Sequence, residues 1–101
     1  MTTPVANLPR ISREYVYSMV DASADPTGLP VYMAFLTTPP PDEPADGDWV
    51  AGDWDPEGPI ARCLVGPGGA KTLTPGTWHV WGRIDGAVER PVRYLGKLKV
   101  T

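Results

Sequence analysis

One histidine, one cysteine and twelve carboxylates are the groups with which this 101-residue chain could do chemistry. His79 stands in GTWHVWGRIDG, residues 76–86, between two tryptophans. A general base or nucleophile's partner needs a carboxylate, hydroxyl or thiol within hydrogen-bond reach. Strand alternation puts Thr77, Trp81, Arg83 and Asp85 on the side of His79, and Trp78, Val80 and Ile84 on the other. That mixed, polar stripe describes a strand histidine at the sheet surface or against a neighbour, not a catalytic group. Cys63 is the only cysteine, so it forms no internal disulfide and supplies no metal spacing. Inside the apolar run IARCLV it reads as a small buried hydrophobe.

Seven of the twelve acids, Asp42, Glu43, Asp46, Asp48, Asp53, Asp55 and Glu57, fall in one central segment. Loop carboxylates are the ligands calcium uses, but the order of an EF-hand loop is missing and interleaved prolines limit how the oxygens converge. A glycosidase pair needs a sugar cleft between its carboxylates, for which a domain of this size has little room. GPGGAK, residues 66–71, lacks the order of a phosphate-binding loop and leads into no helix. No G-x-S-x-G, H-E-x-x-H or C-x-x-C is present. The sequence therefore assigns no catalytic residue, no cofactor and no metal, and the expected protein is not an enzyme.

These residues must be carried by some framework, and composition indicates which. A length of 101 residues makes one domain, and 42% apolar with 21% charged residues is the balance of a folded one. Thirteen prolines and eleven glycines lie between apolar runs as turn punctuation. The net charge of −3 argues against nucleic acid, whose binding draws on concentrated Lys and Arg. The charge is uneven: Arg83, Arg90, Arg93, Lys97 and Lys99 make the C-terminal end basic opposite the acidic centre, an asymmetry that could steer assembly between copies. No run approaches the ~20 apolar residues of a membrane span, and the N-terminus has no apolar segment of signal-peptide length, so no membrane association and synthesis in the cytoplasm are expected.

Along the chain, residues 1–10 read as an extended arm and residues 11–101 as the folded domain. Strands are expected over 11–20, with Tyr15, Tyr17 and Met19 on one face, and over 29–36, which is apolar on both faces. Pro39, Pro40 and Pro41 stiffen a loop of about a dozen residues. Further strands are expected over 60–65 and 76–84, and Asp85-Gly86 signals a hairpin into VRYLGKLKVT. No window carries a helical apolar stripe. Six or seven short strands with regular turns describe an all-β, immunoglobulin-like β-sandwich.

Four tryptophans are a large share for this length. Trp78, on the apolar side of its strand, is expected to fill the interior, while aromatic residues near loops are favoured contact anchors. The residues expected to touch a partner are Pro4, Leu8 and Pro9 in the arm, Pro40 and Pro41 in the loop, and Trp49, Trp54 and Trp81. A carbohydrate-binding module using Trp49, Trp54 or Trp81, with a host cell wall as its target, is a second reading of the same residues. A small calcium-stabilised adhesin is a third.

Taken together, LPRISREYVY, ARCLVGPGGA, GTWHVWGRIDG and PVRYLGKLKVT resemble small immunoglobulin-like virion structural proteins of tailed bacteriophages that infect actinobacteria. The resemblance runs from Leu8 to Thr101. It implies a virion component without catalytic residues, a capsid decoration or minor capsid protein whose partners are the major capsid protein, other virion proteins and further copies of itself. A tail, baseplate or head-tail connector protein is the alternative. The acidic, proline-rich loop over 39–58 departs from the compact pattern of such proteins.

Overall fold

A computed structural model describes residues 7–20 and 25–101. The first part of the arm, with Pro4, lies outside them. The elements are β1 (Asn7–Leu8), β2 (Glu14–Met19), β3 (Val31–Leu36), a single 3-10 turn (Asp46–Asp48), β4 (Trp49–Ala51), β5 (Asp53–Trp54), β6 (Ile60–Val65), β7 (Gly76–Ile84) and β8 (Val92–Val100). They form a five-stranded sheet in the order β1-β8-β7-β3-β4 and a three-stranded sheet in the order β2-β6-β5. The chain is all-β, and the two sheets face each other as a sandwich.

Period-two alternation builds the core directly. Val31, Met33, Phe35, Val80, Leu98 and Val100 point inward from the larger sheet and meet Val16, Ala61, Cys63 and Val65 from the smaller. The β7 strand lies at the centre of the five, paired with β3 on one side and β8 on the other, so GTWHVWGRIDG is the middle of the sheet. Trp78 is half-buried at the edge of this core, and its Nε1 donates to the Thr74 carbonyl at 2.8 Å. The interior is filled instead by Met33, Leu98 and valines, because an indole with an N–H to satisfy packs best where a carbonyl is within reach.

Two backbone devices shape the larger sheet. Strands β4 and β5 are one extended stretch that leaves the larger sheet and joins the smaller at Gly52, where a Cβ would lie 2.5 Å from the Arg62 carbonyl oxygen. In β8 the register slips: Val80 faces Gly96 but Trp81 faces Tyr94, so Leu95 is an extra residue and Gly96 takes a φ of +133°. This bulge reverses the parity of β8. Leu95 joins the core side, and Tyr94, which strict alternation groups with Leu98 and Val100, moves to the outer face.

The arm is shorter than the sequence suggested. Asn7 and Leu8 pair in parallel with Lys99 and Val100, the Leu8 carbonyl accepts the Thr101 N–H at 2.9 Å, and Leu8 is 3% exposed. Leu8 is therefore a core residue and not a partner contact, because an apolar side chain next to an open sandwich edge gains most by closing it. Beyond β1, the outer flank of β8 from Val92 to Leu98 has no strand beside it among the described residues.

Candidate functional site

Register decides which side chains meet on the outer face of the five-stranded sheet. Tyr32 lies opposite Arg83, Ala34 opposite both Trp81 and Trp49, and Leu36 opposite His79. Across β7 and β8, Trp81 lies opposite Tyr94 and His79 opposite Lys97. Two indoles thus flank one alanine, separated by two strand spacings, roughly 10 Å. Ala34 is fully buried although it points away from the core.

The polar groups of this face are tied to one another. Arg83 is 8% exposed; its Nε and Nη2 donate to the two carboxylate oxygens of Asp85 at 2.9 and 3.2 Å. Its guanidinium also lies 4.3 Å from the Tyr32 ring centre and 4.9 Å from that of Trp49, a planar cation stacked between aromatic faces. Arg90 Nε shares Asp85 at 3.2 Å. The Tyr94 ring stands edge-on to Trp81 at 5.4 Å, and its hydroxyl shares a hydrogen bond of 2.9 Å with Nδ1 of His79. His79, at 6% exposure, is thus held by Tyr94 beneath the surface, and the question of whether it faces water or a neighbour is answered by its own chain.

One donor is left over. Trp81 is 7% exposed, and its Nε1 is buried with no acceptor among the described residues, a state that costs about 1–3 kcal/mol where no partner is found. Trp81 is therefore not the free contact anchor expected from sequence, because it is packed into the outer face with Tyr94 edge-on to it. Its remaining surface lines a cleft of about 250 Å³ with Trp49, Arg83 and Arg90 on the sheet side and Glu43, Pro44 and Asp46 on the loop side. The loop is steadied where it re-enters the sheet: Asp48 Oδ2 accepts the Ala45 N–H at 2.8 Å.

The other expected contacts scatter. Pro9 is exposed and its carbonyl accepts the Ser12 N–H, and Pro40 and Pro41 are exposed in the loop. Trp49 is half-buried in the cleft wall. Trp54 lies elsewhere: it packs against the core and its Nε1 donates to the Leu29 carbonyl at 2.8 Å. The three tryptophans of the carbohydrate reading are thus separated into a pair, Trp49 with Trp81, and Trp54, which lines a different depression. The acidic run is divided as well. Asp53 holds Arg62 at 2.8 and 3.3 Å, and Asp55 accepts the Glu57 N–H in a turn. Asp55, Glu57 and Asp25 border a wide depression of about 680 Å³ at one end of the sandwich, where Asp25 binds Thr27. Among the described residues no three His, Cys, Asp or Glu side chains are grouped to hold a metal ion.

The smaller sheet presents a different surface. Tyr15, Tyr17 and Met19 share its outer face with Leu64, Arg62 and Ile60 by register. Met19 is 63% exposed, and Arg62 lies 4.2 Å from the Tyr15 ring centre while paired to Asp53. Among the described residues strand β2 is also an edge, with β6 on one side only. Cys63 on the inner face is 1% exposed, and burial pushes its thiol up to about 11, which makes a poor nucleophile. The residues overlooked in the sequence are Tyr32, Arg83, Asp85 and Tyr94. Arg83 and Asp85 were visible on the His79 stripe, but their aromatic partners come from other strands.

No family model, no curated protein and no solved structure matches this chain.

Proposed function

We propose that this protein is a non-enzymatic structural component of a phage virion, an immunoglobulin-like decoration or minor capsid protein that binds the assembled major capsid lattice and further copies of itself. The observation that carries the reading is the outer face of the smaller sheet. Half-buried Tyr15 and Tyr17 and exposed Met19 form an aromatic and apolar strip on a strand whose far edge has no strand beside it among the described residues. Edge strands and aromatic strips are what protein partners engage. The groups with chemical potential are meanwhile committed to structure: His79 to Tyr94, Asp53 to Arg62, Asp85 to Arg83. A lattice repeats its contacts, so many weak contacts of this kind give high avidity without a deep pocket.

Co-sedimentation with purified particles tests the reading. Tyr17→Glu and Met19→Glu, both on the solvent side of β2, are expected to remove most of the bound protein while the far-ultraviolet circular dichroism of the free chain stays unchanged. Binding at the native level in the double variant would sink the role of this face. Running the same assay with separated heads and tails distinguishes a capsid protein from a tail, baseplate or connector one.

A further inference from the structure

The two flanks of the larger sheet's outer face carry opposite charge. On one flank is β8, where Lys97 and Lys99 stand opposite His79 and Thr77 and are exposed, with exposed Arg93 on the same strand. The strand carries no acid. On the other flank the loop between β3 and β4 exposes Asp42, Glu43 and Asp46, and residues 37–48 carry no base. Among the described residues the ion pairs all belong to Arg62, Arg83 and Arg90, so none of the charges just named has a partner there. Charges of one sign gathered on one flank gain from a surface of the other sign. A second β8 is not that surface, since lysines would face lysines. The acidic loop is, but β7 and β3 lie between the two flanks within one molecule. A second copy removes that separation: a two-fold axis lying in the contact, midway between the flanks, sets each acidic loop over the other copy's β8. Such a contact is the same on both copies and closes on itself. Between the charged flanks stand Tyr94, 38% exposed, and half-buried Trp49, an aromatic middle with a polar rim, as protein contacts have.

We infer that the outer face of the larger sheet is a self-complementary contact between two copies of this chain, in which the acidic loop of one seats on Lys97 and Lys99 of the other. The inference rests on the reading that the protein assembles with further copies of itself, and it names the face they use. The smaller sheet's outer face is left to the lattice, so the two contacts can succeed or fail separately.

Sedimentation velocity of the full chain tests it. At about 1 mM, roughly the effective concentration of neighbours held side by side, the native chain is expected to run as a dimer in dilute buffer. Raising the salt from about 0.05 M to about 0.5 M is expected to weaken association about tenfold, because exposed pairs are screened. Lys97→Glu with Lys99→Glu sets carboxylates against carboxylates and is expected to weaken association by at least about tenfold. Asp42→Lys with Glu43→Lys is expected to do the same from the other side. That second variant brings the net charge of −3 closer to neutrality, so its loss of association is not bulk repulsion. All four positions are exposed, and circular dichroism of each variant is expected to match the native chain; where one does not fold, the other decides. Mixing the two variants in equal amounts is expected to restore the dimer, since each supplies the charge the other lacks. A native chain that stays monomeric would overturn the contact. So would a folded variant that associates as the native chain does, or a mixture of the two that stays monomeric. Co-sedimentation with particles judges the virion reading separately: a salt-sensitive dimer that binds no particle leaves this contact standing, and a monomer that binds particles overturns it.

Discussion

On the inner face of the five-stranded sheet, Val31, Met33, Phe35, Val80, Leu98 and Val100 are each at most 4% exposed, and none carries a side-chain nitrogen or oxygen. On its outer face Ala34, His79, Trp81 and Arg83 are at most 8% exposed, and three of the four carry polar atoms. The same strands supply both sets at alternate positions. The inner face needs only area removed from water, which is non-directional and tolerant of detail. The outer face needs partners at defined distances, because a buried polar group without one is costly. One layer of backbone is thus covered twice, first by the opposing sheet and then by the aromatic and charged side chains of its own outer face. What differs is how each layer fails when it is damaged.

Substitutions on the two faces sharpen that contrast. Leu98→Ala, in a fully buried inner position, is expected to cost about 3 kcal/mol in denaturant unfolding. A loss near zero would mean that the sheets are not held by this core. Asp85→Asn keeps the shape of the outer face but removes the charge shared by Arg83 and Arg90, and a cost of about 2 kcal/mol is expected. Should it equal the cost of Leu98→Ala, the outer cluster is as much a core as the inner one. Tyr94→Phe keeps the edge-on contact with Trp81 and deletes only the hydrogen bond to His79, for about 1 kcal/mol.

The core has one flaw of its own, on the inner face of the smaller sheet, and repairing it tests the rule from the other side. Ser18 Oγ is fully buried with no partner among the described residues, across from Ala61. Ser18→Ala is therefore expected to raise stability by up to about 1 kcal/mol. A loss of stability instead would reveal a partner for the hydroxyl. Cys63 gives the smallest effect and one that depends on pH. Its thiol ionises near 9.0 when unfolded and near 11 in the fold because burial disfavours the thiolate. The folded state then holds the proton longer, so the stabilising contribution is complete below pH 9 and lost as pH rises toward 11. Melting temperatures followed across that interval should fall less for Cys63→Ala than for the native chain.

Much of the framework was legible before any coordinates. The β6 strand, Ile60–Val65, and the β7 strand, Gly76–Ile84, coincide with the runs expected from alternation, because each is long enough for period two to be counted. The faces assigned to His79, Trp81 and Arg83 against Val80 and Ile84 hold for the same reason. The β4 and β5 strands, three and two residues long, were missed. Segments that short have no period to read and exist only because β3 and β6 offer them a ladder. Leu8 was misplaced for a related reason: a two-residue parallel contact with the far end of the chain leaves no local trace.

The cleft shows where local reading stops. Trp49, Trp81, Arg83 and the acids of the loop were each noticed in sequence, but nothing in their spacing brings residues 43 and 83 together. Tyr94 is the clearest case. Counting alternate positions back from Val100 places it in the core, and one extra residue at Leu95 with Gly96 at positive φ turns it outward onto Trp81 and His79. What the chain's order of residues determined by itself was the alternation, the turns and the supply of apolar area, since these depend on neighbours in sequence. Which strands lie side by side, in what register and with what bulge is a property of long-range pairing. Only that pairing decided that a histidine, an arginine and two tryptophans share a buried face.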